Sequence, residues 1–296
     1  MAQLQRLSGV VYAILSSATF GLIPLFTVPL LARGVDSSTI LCYRFLLASV
    51  VVAVVMLLTK RSFRLQRGQL WVVLLLSLLY AFTAILLIQS YGYIPSGVAT
   101  TIHFLYPLAV TLTMAWFFKT KTTVVTYVAV VISLVGVALL VWGSHSEGDF
   151  SRGVLLSLLS VVTYAAYIVG VMRSRASHID SIVLTFYVLL FGSVLFFVYA
   201  LATSGIGVIG RYSDWRDLAM LAIVSTVLSD YFLILAIKRI GSTMTSILGS
   251  MEPLTAVVVG VVYFGERFDT ASVVGLLLII IAVVLVIAQT NRQSIS

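Results

Sequence analysis

Ten apolar stretches, each long enough to cross a lipid bilayer, divide this chain of 296 residues. A membrane-crossing helix needs roughly 20 mostly apolar residues, and the connections between the stretches are short. Their approximate bounds are 8–30, 37–59, 70–90, 95–118, 121–142, 152–172, 180–203, 217–237, 242–264 and 270–290. Only 9% of the residues are charged, against about 25% in a soluble domain. We therefore predict an all-α membrane protein with ten transmembrane helices.

The charges and motifs exclude several classes of protein. The net charge of +8 comes from basic residues spread over many short loops, which argues against a nucleic-acid-binding patch. Neither an H-E-x-x-H nor a G-x-S-x-G motif occurs. Cys42 is the only cysteine, and no Cys/His spacing indicates a metal site. The sequence therefore predicts a protein that is not an enzyme, with no cofactor and no metal.

The loop charges predict how the chain is oriented. If the N-terminus is cytoplasmic, 12 of the 18 Lys and Arg residues fall in cytoplasmic segments and five in outer loops, while Arg44 lies inside the second span. Cytoplasmic loops of membrane proteins carry an excess of Lys and Arg. We therefore expect a multi-pass membrane protein with both termini in the cytoplasm.

The chain also contains an internal repeat. GVVYAILSSATF (9–20) aligns with GVLLSLLSVVTY (153–164) at an offset of 144 residues. After the third span the offset becomes 146, which places Pro107 on Pro253. Agreement along five spans indicates a duplication.

We divide the chain into two five-helix repeats, residues 1–146 and 147–296. Because five is an odd number, the second repeat enters the membrane from the opposite side and is inverted. Inverted repeats typically bind substrate near the bilayer midplane and expose it to each side in turn. One chain then holds both halves of a pathway, so a monomer suffices, with a small-molecule substrate and membrane lipids as its partners.

The second repeat carries a recognisable pattern in STMTSILGSMEPLTAVVVGVVYFGERFDTASVVGLLLIIIAVVLV (242–286). With the ten spans and the duplication, it closely resembles the EamA domain of the drug/metabolite transporter superfamily. Glu252-Pro253, Gly265-Glu266 and Gly275 occupy the places of that family's pattern.

The first repeat matches the same pattern over residues 96–118 with Pro107 in place, but Lys119-Thr120 replaces the usual Gly-Glu. The resemblance covers essentially the whole chain. It implies an inner-membrane carrier, often an exporter, of amino acids, other small metabolites or drugs. The YddG-type aromatic amino-acid exporters are the natural comparison.

Four ionisable side chains lie well inside the predicted spans, namely Arg44, His103, Asp230 and Glu252. On insertion scales, Arg, Lys or Asp at a helix centre costs roughly 2.5–3.5 kcal/mol, so each group should face a cavity or a partner. Glu252 either titrates a proton or anchors a substrate amine, or it pairs with Arg44 or caps a broken helix. Arg44 either binds a substrate carboxylate, pairs structurally, or extends outward to the interface.

The other two groups leave similar alternatives. Asp230, with Thr226 and Ser229 beside it, either belongs to a proton or cation path, or is hydrogen-bonded to hydroxyls, or pairs across helices. His103 either titrates or binds a ligand, or it is a structural histidine. It shares a face of the fourth helix with Tyr106. Because Tyr106 stands 146 residues before Glu252, the repeats should present a phenol and a carboxylate from pseudo-symmetric positions.

Aromatic residues and prolines complete the predicted site. Tyr80, Tyr164 and Tyr167 lie on inward stripes of the third and sixth helices and could pack around an aromatic or cationic ligand. The alternative, an interfacial aromatic belt, fits Tyr91, Tyr93, Trp71 and Trp215 near the span ends better. Pro24, Pro107 and Pro253 mark candidate bends, the last helped by Ser246, Gly249 and Ser250.

These features predict an alternating-access transporter, in the first instance an exporter, of small amphipathic metabolites such as aromatic amino acids. The alternative within transport is a carrier of choline-like or multidrug organic cations; either carrier could be coupled to protons or could work by facilitated diffusion. The alternative to a carrier is a channel or a non-transporting scaffold. The residues expected to bind substrate are Glu252, Tyr106, His103, Asp230, Arg44, Tyr80, Tyr164 and Tyr167.

Overall fold

The described part of the chain is helical throughout. The computed structural model describes residues 2–66, 68–120, 124–143, 149–203, 205–249, 251–266 and 269–293. The first half contains α1 (Ala2–Phe20), α2 (Ile23–Ala32), α3 (Ser37–Leu58), α4 (Gln69–Ser90), α5 (Ser96–His103), α6 (Tyr106–Phe118) and α7 (Val124–Gly143). The second half contains α8 (Phe150–Arg173), α9 (Ser181–Ala202), α10 (Tyr212–Ala222), α11 (Ser229–Leu248), α12 (Met251–Phe264) and α13 (Thr270–Gln293). A π-helical segment, Ile223–Leu228, joins α10 to α11.

Seven helical stretches of the described chain are long and apolar enough to cross a membrane. They are Leu7–Ala32, Ser37–Leu58, Gln69–Ser90, Ser96–Phe118, Phe150–Arg173, Ser181–Ala202 and Tyr212–Gly241. Three shorter apolar stretches are Tyr127–Leu139, Met251–Phe264 and Thr270–Ala282. The prediction of an all-α membrane protein is therefore confirmed, while the count of ten spans and the inversion stay predictions. The predicted boundary between residues 146 and 147 lies outside the described residues.

Two of the predicted spans are broken near their middle. The first stops at Phe20 and resumes at Ile23, and the fourth stops at His103 and resumes at Tyr106. Pro24 and Pro107 are the second residues of the resuming helices, because proline lacks the N–H that a continuing helix needs but fits a first turn. The bends predicted at Pro24 and Pro107 are confirmed, and Ser96–Phe118 remains one candidate membrane span across its break. The bend at Pro253 stays a prediction.

A further break at Gly241 interrupts α11. This glycine has φ +81° and ψ +163°, a backbone conformation that favours glycine because it has no Cβ. The break separates the end of the eighth predicted span from the turn that leads into α12 and Glu252. Ser250 and the side chain of Ser246, which the sequence places beside Pro253, lie outside the described residues.

The helices pack mainly between the two halves of the chain. The largest interfaces pair α7 with α13, α1 with α11, α3 with α9, α4 with α8 and α4 with α9, and α5 also packs on α12. Each pair takes one helix from each half, so the protein core lies between the halves. A site built in this core receives side chains from both.

The crossing of α3 and α9 depends on a glycine. A Cβ added at Gly192 would lie 2.5 Å from Cδ1 of the Phe45 ring, which is fully buried against Phe196. We expect Gly192→Val to lower the melting temperature in detergent, because overpacking a core costs about 1–3 kcal/mol. Gly210→Val is the matched control, since no atom lies within 4 Å of a Cβ added there. Equal melting temperatures for the two variants would contradict this packing.

The two ends of the bundle are held by different contacts. At the end that we call the distal face, Arg33 contacts Asp214 at 2.7 Å and Asp217 at 2.5 Å. At the opposite, proximal face, Arg61 pairs with Asp180 at 3.1 Å. Lys238 there also donates to the carbonyl of Ile179. The Arg33 and Arg61 ion pairs each join the first half to the second. The Lys238 contact instead connects α11 to the segment before α9 within the second half.

Candidate functional site

A small cavity lies between the two halves, beside the broken helices. Its volume is about 30 Å³, room for only one or two water molecules. The lining residues are Phe20, Ile23, Arg44, Tyr80, Thr83, Ala84, Leu87, Ile88, Tyr91, His103, Tyr164 and Glu252. Five of the eight predicted site residues are therefore in the wall. The other three, Tyr106, Tyr167 and Asp230, lie behind it.

Glu252 is held at a helix start. It lies in the first turn of α12 and is only 3% exposed, where the helix dipole favours a negative group. The hydroxyl of Tyr106 faces its carboxylate closely enough to interact with it, so the two positions that the repeat relates are neighbours. The break after α1 packs behind them, because a Cβ added at Gly21 would lie 2.5 Å from the Glu252 carbonyl oxygen.

His103 presents one ring nitrogen to Glu252. Its Nδ1 lies 2.7 Å from Oγ of Ser160, whose hydroxyl donates its hydrogen to the carbonyl of Ser157 at 2.6 Å. Ser160 can then only accept from His103, so Nδ1 carries a hydrogen. The other nitrogen, Nε2, lies 4.0 Å from Oε1 of Glu252, too far for a direct hydrogen bond. A third group that hydrogen-bonds to both atoms can therefore bridge them.

A chain of aromatic rings runs away from this pair. The Tyr164 ring packs edge-on to Tyr106 at 4.7 Å and lies 5.1 Å from His103. Tyr167 is nearly parallel to Tyr164 at 6.1 Å and lies 5.1 Å from Tyr80. Each of these tyrosines is buried. The interfacial alternative therefore does not apply to Tyr80, Tyr164 or Tyr167.

Arg44 enters the cavity from α3. It is buried, so it does not extend to the interface, and its Nε donates to Oγ1 of Thr226 at 2.7 Å. Among the described residues no ion pair joins it to Glu252 or to another acid within 4 Å. The predicted Arg44–Glu252 pair is thus not formed. The cavity instead contains a guanidinium and a carboxylate that have separate partners.

Asp230 lies outside the cavity wall but is linked to it. Oδ1 accepts a hydrogen bond from the hydroxyl of Tyr80 at 2.6 Å. The acid is therefore hydrogen-bonded to a hydroxyl from another helix, while the neighbouring hydroxyls of Thr226 and Ser229 donate to the backbone carbonyls of Leu221 and Ser225. Thr226 lies in the π-helical segment, a distortion that often occurs at functional sites.

A wider pocket, which we call the vestibule, lies beside the cavity at the distal face. Its volume is about 760 Å³, and it shares Ile88 and Tyr91 with the cavity wall. Tyr91 therefore lies in both walls rather than in an interfacial belt, whereas Trp71 and Trp215 are exposed as a belt requires.

Phe20 and Ile23 are wall residues that the sequence analysis missed. A signal for both existed, because they stand 144 residues before Tyr164 and Tyr167. The rings of Phe20 and Tyr164 lie 6.2 Å apart. Extending the repeat to every site tyrosine would have identified them.

Known proteins resemble this chain over most of its length. The EamA-like transporter family matches residues 7–142 and 151–288. The uncharacterized transporter YvbV of Bacillus subtilis (strain 168) is 24% identical over 274 residues, which cover 90% of this chain and 85% of that protein. The uncharacterized transporter YetK of the same organism is 23% identical over 247 residues, or 80% and 74%. A crystal structure that is 18% identical superposes with a TM-score of 0.71 over 98% of this chain and 99% of the other, which shows a shared fold.

Proposed function

The chain belongs to the EamA-like transporter family, and we propose that it exports small amphipathic metabolites, above all aromatic amino acids, by alternating access. Members of this family are transporters and not enzymes. The observation that carries the proposed substrate class is the single cavity lined by both Arg44 and Glu252, which do not pair with each other. A zwitterion supplies a partner for each.

The ammonium group of the substrate fits between His103 and Glu252. Charge-assisted N–H···O bonds are about 2.7–2.9 Å long. If the substrate nitrogen lies at that distance from both acceptors, which are 4.0 Å apart, the acceptor–nitrogen–acceptor angle is roughly 90°. This angle is not far from the one between two N–H bonds of an ammonium group. Nε2 of His103 accepts one of these bonds when it carries no hydrogen, and Oε1 of Glu252 accepts the other.

The carboxylate of the substrate is assigned to Arg44. The bond to Thr226 uses only Nε, and the guanidinium lines the cavity, so its terminal nitrogens can meet a carboxylate in the two-pronged geometry that Arg favours. Tyr80, Tyr91 and Tyr164 supply aromatic wall for the side chain of the substrate. The cavity must widen to admit it, because ligand sites typically enclose about 300–1,000 Å³.

The packing supports inverted repeats with a boundary near residue 146. Exchanging the halves maps α1–α11 contacts onto α8–α4 contacts, as a pseudo-twofold axis requires. At residue level, Gly9 packs against Ile240 and Gly153 packs against Ile94, and the two isoleucines are 146 residues apart. Symmetry-related contacts of this kind favour two halves that rock about a shared site.

The vestibule indicates which side the described state faces. It adjoins the cavity on the side of the distal face, with Ile88 and Tyr91 in both walls, while the proximal face is crossed by the Arg61–Asp180 pair. With both termini in the cytoplasm, as the loop charges favour, the distal face is the outer one. The state is then outward-facing, in an inner (plasma) membrane protein whose single chain completes the site.

Organic cations are the second candidate substrates. Tyr91, Tyr164 and His103 lie around Glu252 in the wall, and aromatic rings with an acid attract cations. Arg44 in the same cavity disfavours a ligand that carries only positive charge. An amino-acid substrate therefore gives a partner to more residues of the cavity wall than an organic cation does.

A ligand screen on the purified protein tests the proposal. We expect phenylalanine, tyrosine or tryptophan to raise the melting temperature more than choline or tetraphenylphosphonium, because bound ligand stabilises the folded state. The selected ligand should then show saturable, trans-stimulated counterflow in proteoliposomes. A response to the cations alone would favour the second candidate. Ohmic flux without counterflow would indicate a channel and overturn the transport proposal.

A further inference from the structure

We propose, building on the transport function above, that Asp230 is the site where the transporter binds and releases a coupling proton, and that Tyr80 transmits its occupancy to the cavity. Asp230 is 2% exposed and does not line the cavity. The substrate and the proton would thus use different acids, Glu252 for the former and Asp230 for the latter.

The bonding of Asp230 is incomplete. Oδ1 accepts from Tyr80, but within the described part of the chain Oδ2 is buried without any hydrogen-bond partner. A buried ionised carboxylate needs its oxygens bonded, and charge inside a membrane protein is costly and typically functional. Binding one proton removes the charge without any change in packing.

The groups that face Asp230 come from three neighbouring helices. Tyr80 approaches from α4, Arg44 from α3, and Tyr164 and Tyr167 from α8. Helix α1 contributes the hydroxyl of Ser16, which donates to the Ser229 carbonyl at 2.8 Å and not to the acid. Arg44 is the only cation in this set, and it is hydrogen-bonded to Thr226 rather than to Asp230.

This environment suits a proton better than a metal ion. Hard cations such as Ca²⁺ and Mg²⁺ take about six or more oxygen ligands, and here a single carboxylate oxygen is open. The nearby guanidinium of Arg44 repels a metal cation. A proton needs only the one oxygen.

Tyr80 connects this site to the substrate. Its hydroxyl holds Asp230 while its ring forms part of the cavity wall between Phe45 at 5.6 Å and Tyr167 at 5.1 Å. An ionised carboxylate can only accept, so it fixes the Tyr80 hydroxyl as donor; a protonated one offers its own donor and releases that constraint. Proton binding would therefore loosen one wall of the cavity.

Arg44 supplies a second link. It lines the cavity and also acts on Asp230 through its charge. A substrate carboxylate at Arg44 and a proton at Asp230 must then influence each other, and such a coupling is reciprocal. At the offset of 144 that holds through the third span, Asp230 corresponds to Leu86, so only one half carries this acid. The expected stoichiometry is one proton for each substrate.

Proteoliposomes with the ligand selected by the melting screen test the proposal. In the wild type, a gradient of one pH unit should drive uphill movement of up to about tenfold when one proton moves per substrate. Asp230→Asn should abolish the gradient-driven movement while saturable counterflow without a gradient persists. Asp230→Glu, which keeps a titratable group, should restore part of the coupling.

The outcomes separate this proposal from the transport function. Gradient-driven movement that persists in a folded Asp230→Asn protein would overturn the role of Asp230 and leave transport intact. Movement driven by a Na⁺ gradient and not by pH would overturn the choice of a proton. Absence of counterflow in the wild type would instead contradict the transport function. If Asp230→Asn fails to fold, infrared spectra recorded after a pH jump decide. If the carboxyl group at position 230 takes up the proton, its band must differ between the wild type and Asp230→Glu.

Discussion

Glu252→Gln is expected to reduce counterflow of an aromatic amino acid by about ten- to a hundredfold. A hydrogen bond to a charged group contributes about 1.5–3 kcal/mol, and each 1.4 kcal/mol corresponds to about tenfold in affinity. Glutamine keeps the size of the side chain and a carbonyl oxygen that can face Tyr106. The loss should therefore come from the missing charge and not from a collapsed site.

Tyr106→Phe is the matched variant for this prediction. It removes the hydroxyl that faces Glu252 but keeps the carboxylate and the ring that packs on Tyr164 at 4.7 Å. We expect a smaller loss than for Glu252→Gln, because the group that binds the ammonium keeps its charge. Melting temperature and gel filtration check that both variants fold. Counterflow of Glu252→Gln at the wild-type rate would contradict the ammonium site.

The proximity of Tyr106 to Glu252 shows what the sequence could predict. Both positions followed from the internal repeat, and their pairing follows from symmetry, since residues near a twofold axis meet their own equivalents. Phe20 and Tyr164 meet in the same way. Positions fixed by the repeat could therefore be predicted with no knowledge of side-chain contacts.

The partners of Arg44 and Asp230 could not be predicted in this way. Hydropathy placed both residues inside spans, but the choice of partner depends on the π-helical segment Ile223–Leu228, which has no repeat or hydropathy signal. Thr226 accepts a hydrogen bond from Arg44, and Tyr80 donates one to Asp230. The repeat does not relate these two hydroxyls, since Tyr80 corresponds to Val224 at the offset of 144 that holds through the third span.

Glu266 is a second residue whose structural role the sequence pattern did not reveal. The resemblance marked Gly265-Glu266 without assigning it a role. The structure shows Glu266 accepting hydrogen bonds from the backbone N–H groups of Ser96 and Gly97 at 2.9 and 3.2 Å, which caps the start of α5. Lys119-Thr120 supplies no carboxylate at the equivalent place in the first repeat. The two halves are therefore not equivalent at their ends. A contact between distant turns is invisible to periodicity.

Replacing Arg44 is expected to change which substrate the protein prefers. Arg44→Gln should weaken binding of tryptophan by about ten- to a hundredfold, because a charge-assisted bond to the carboxylate contributes about 1.5–3 kcal/mol. Tryptamine, which has the same ring and amine but no carboxylate, should bind the variant as well as it binds the wild type. Competition of each compound against counterflow measures both affinities.

Arg44→Lys and Glu252→Gln make the assignment specific. Lysine keeps the positive charge but lacks the planar fork of arginine, so its loss of tryptophan affinity should be smaller than that of glutamine. Glu252→Gln should show the opposite selectivity and weaken tryptophan and tryptamine alike, while indole-3-propionate, which lacks the amine, is spared. If Arg44→Gln weakened tryptophan and tryptamine equally, Arg44 would have to act through Thr226 and the π-helical segment. The substrate carboxylate would then need another partner in the wall.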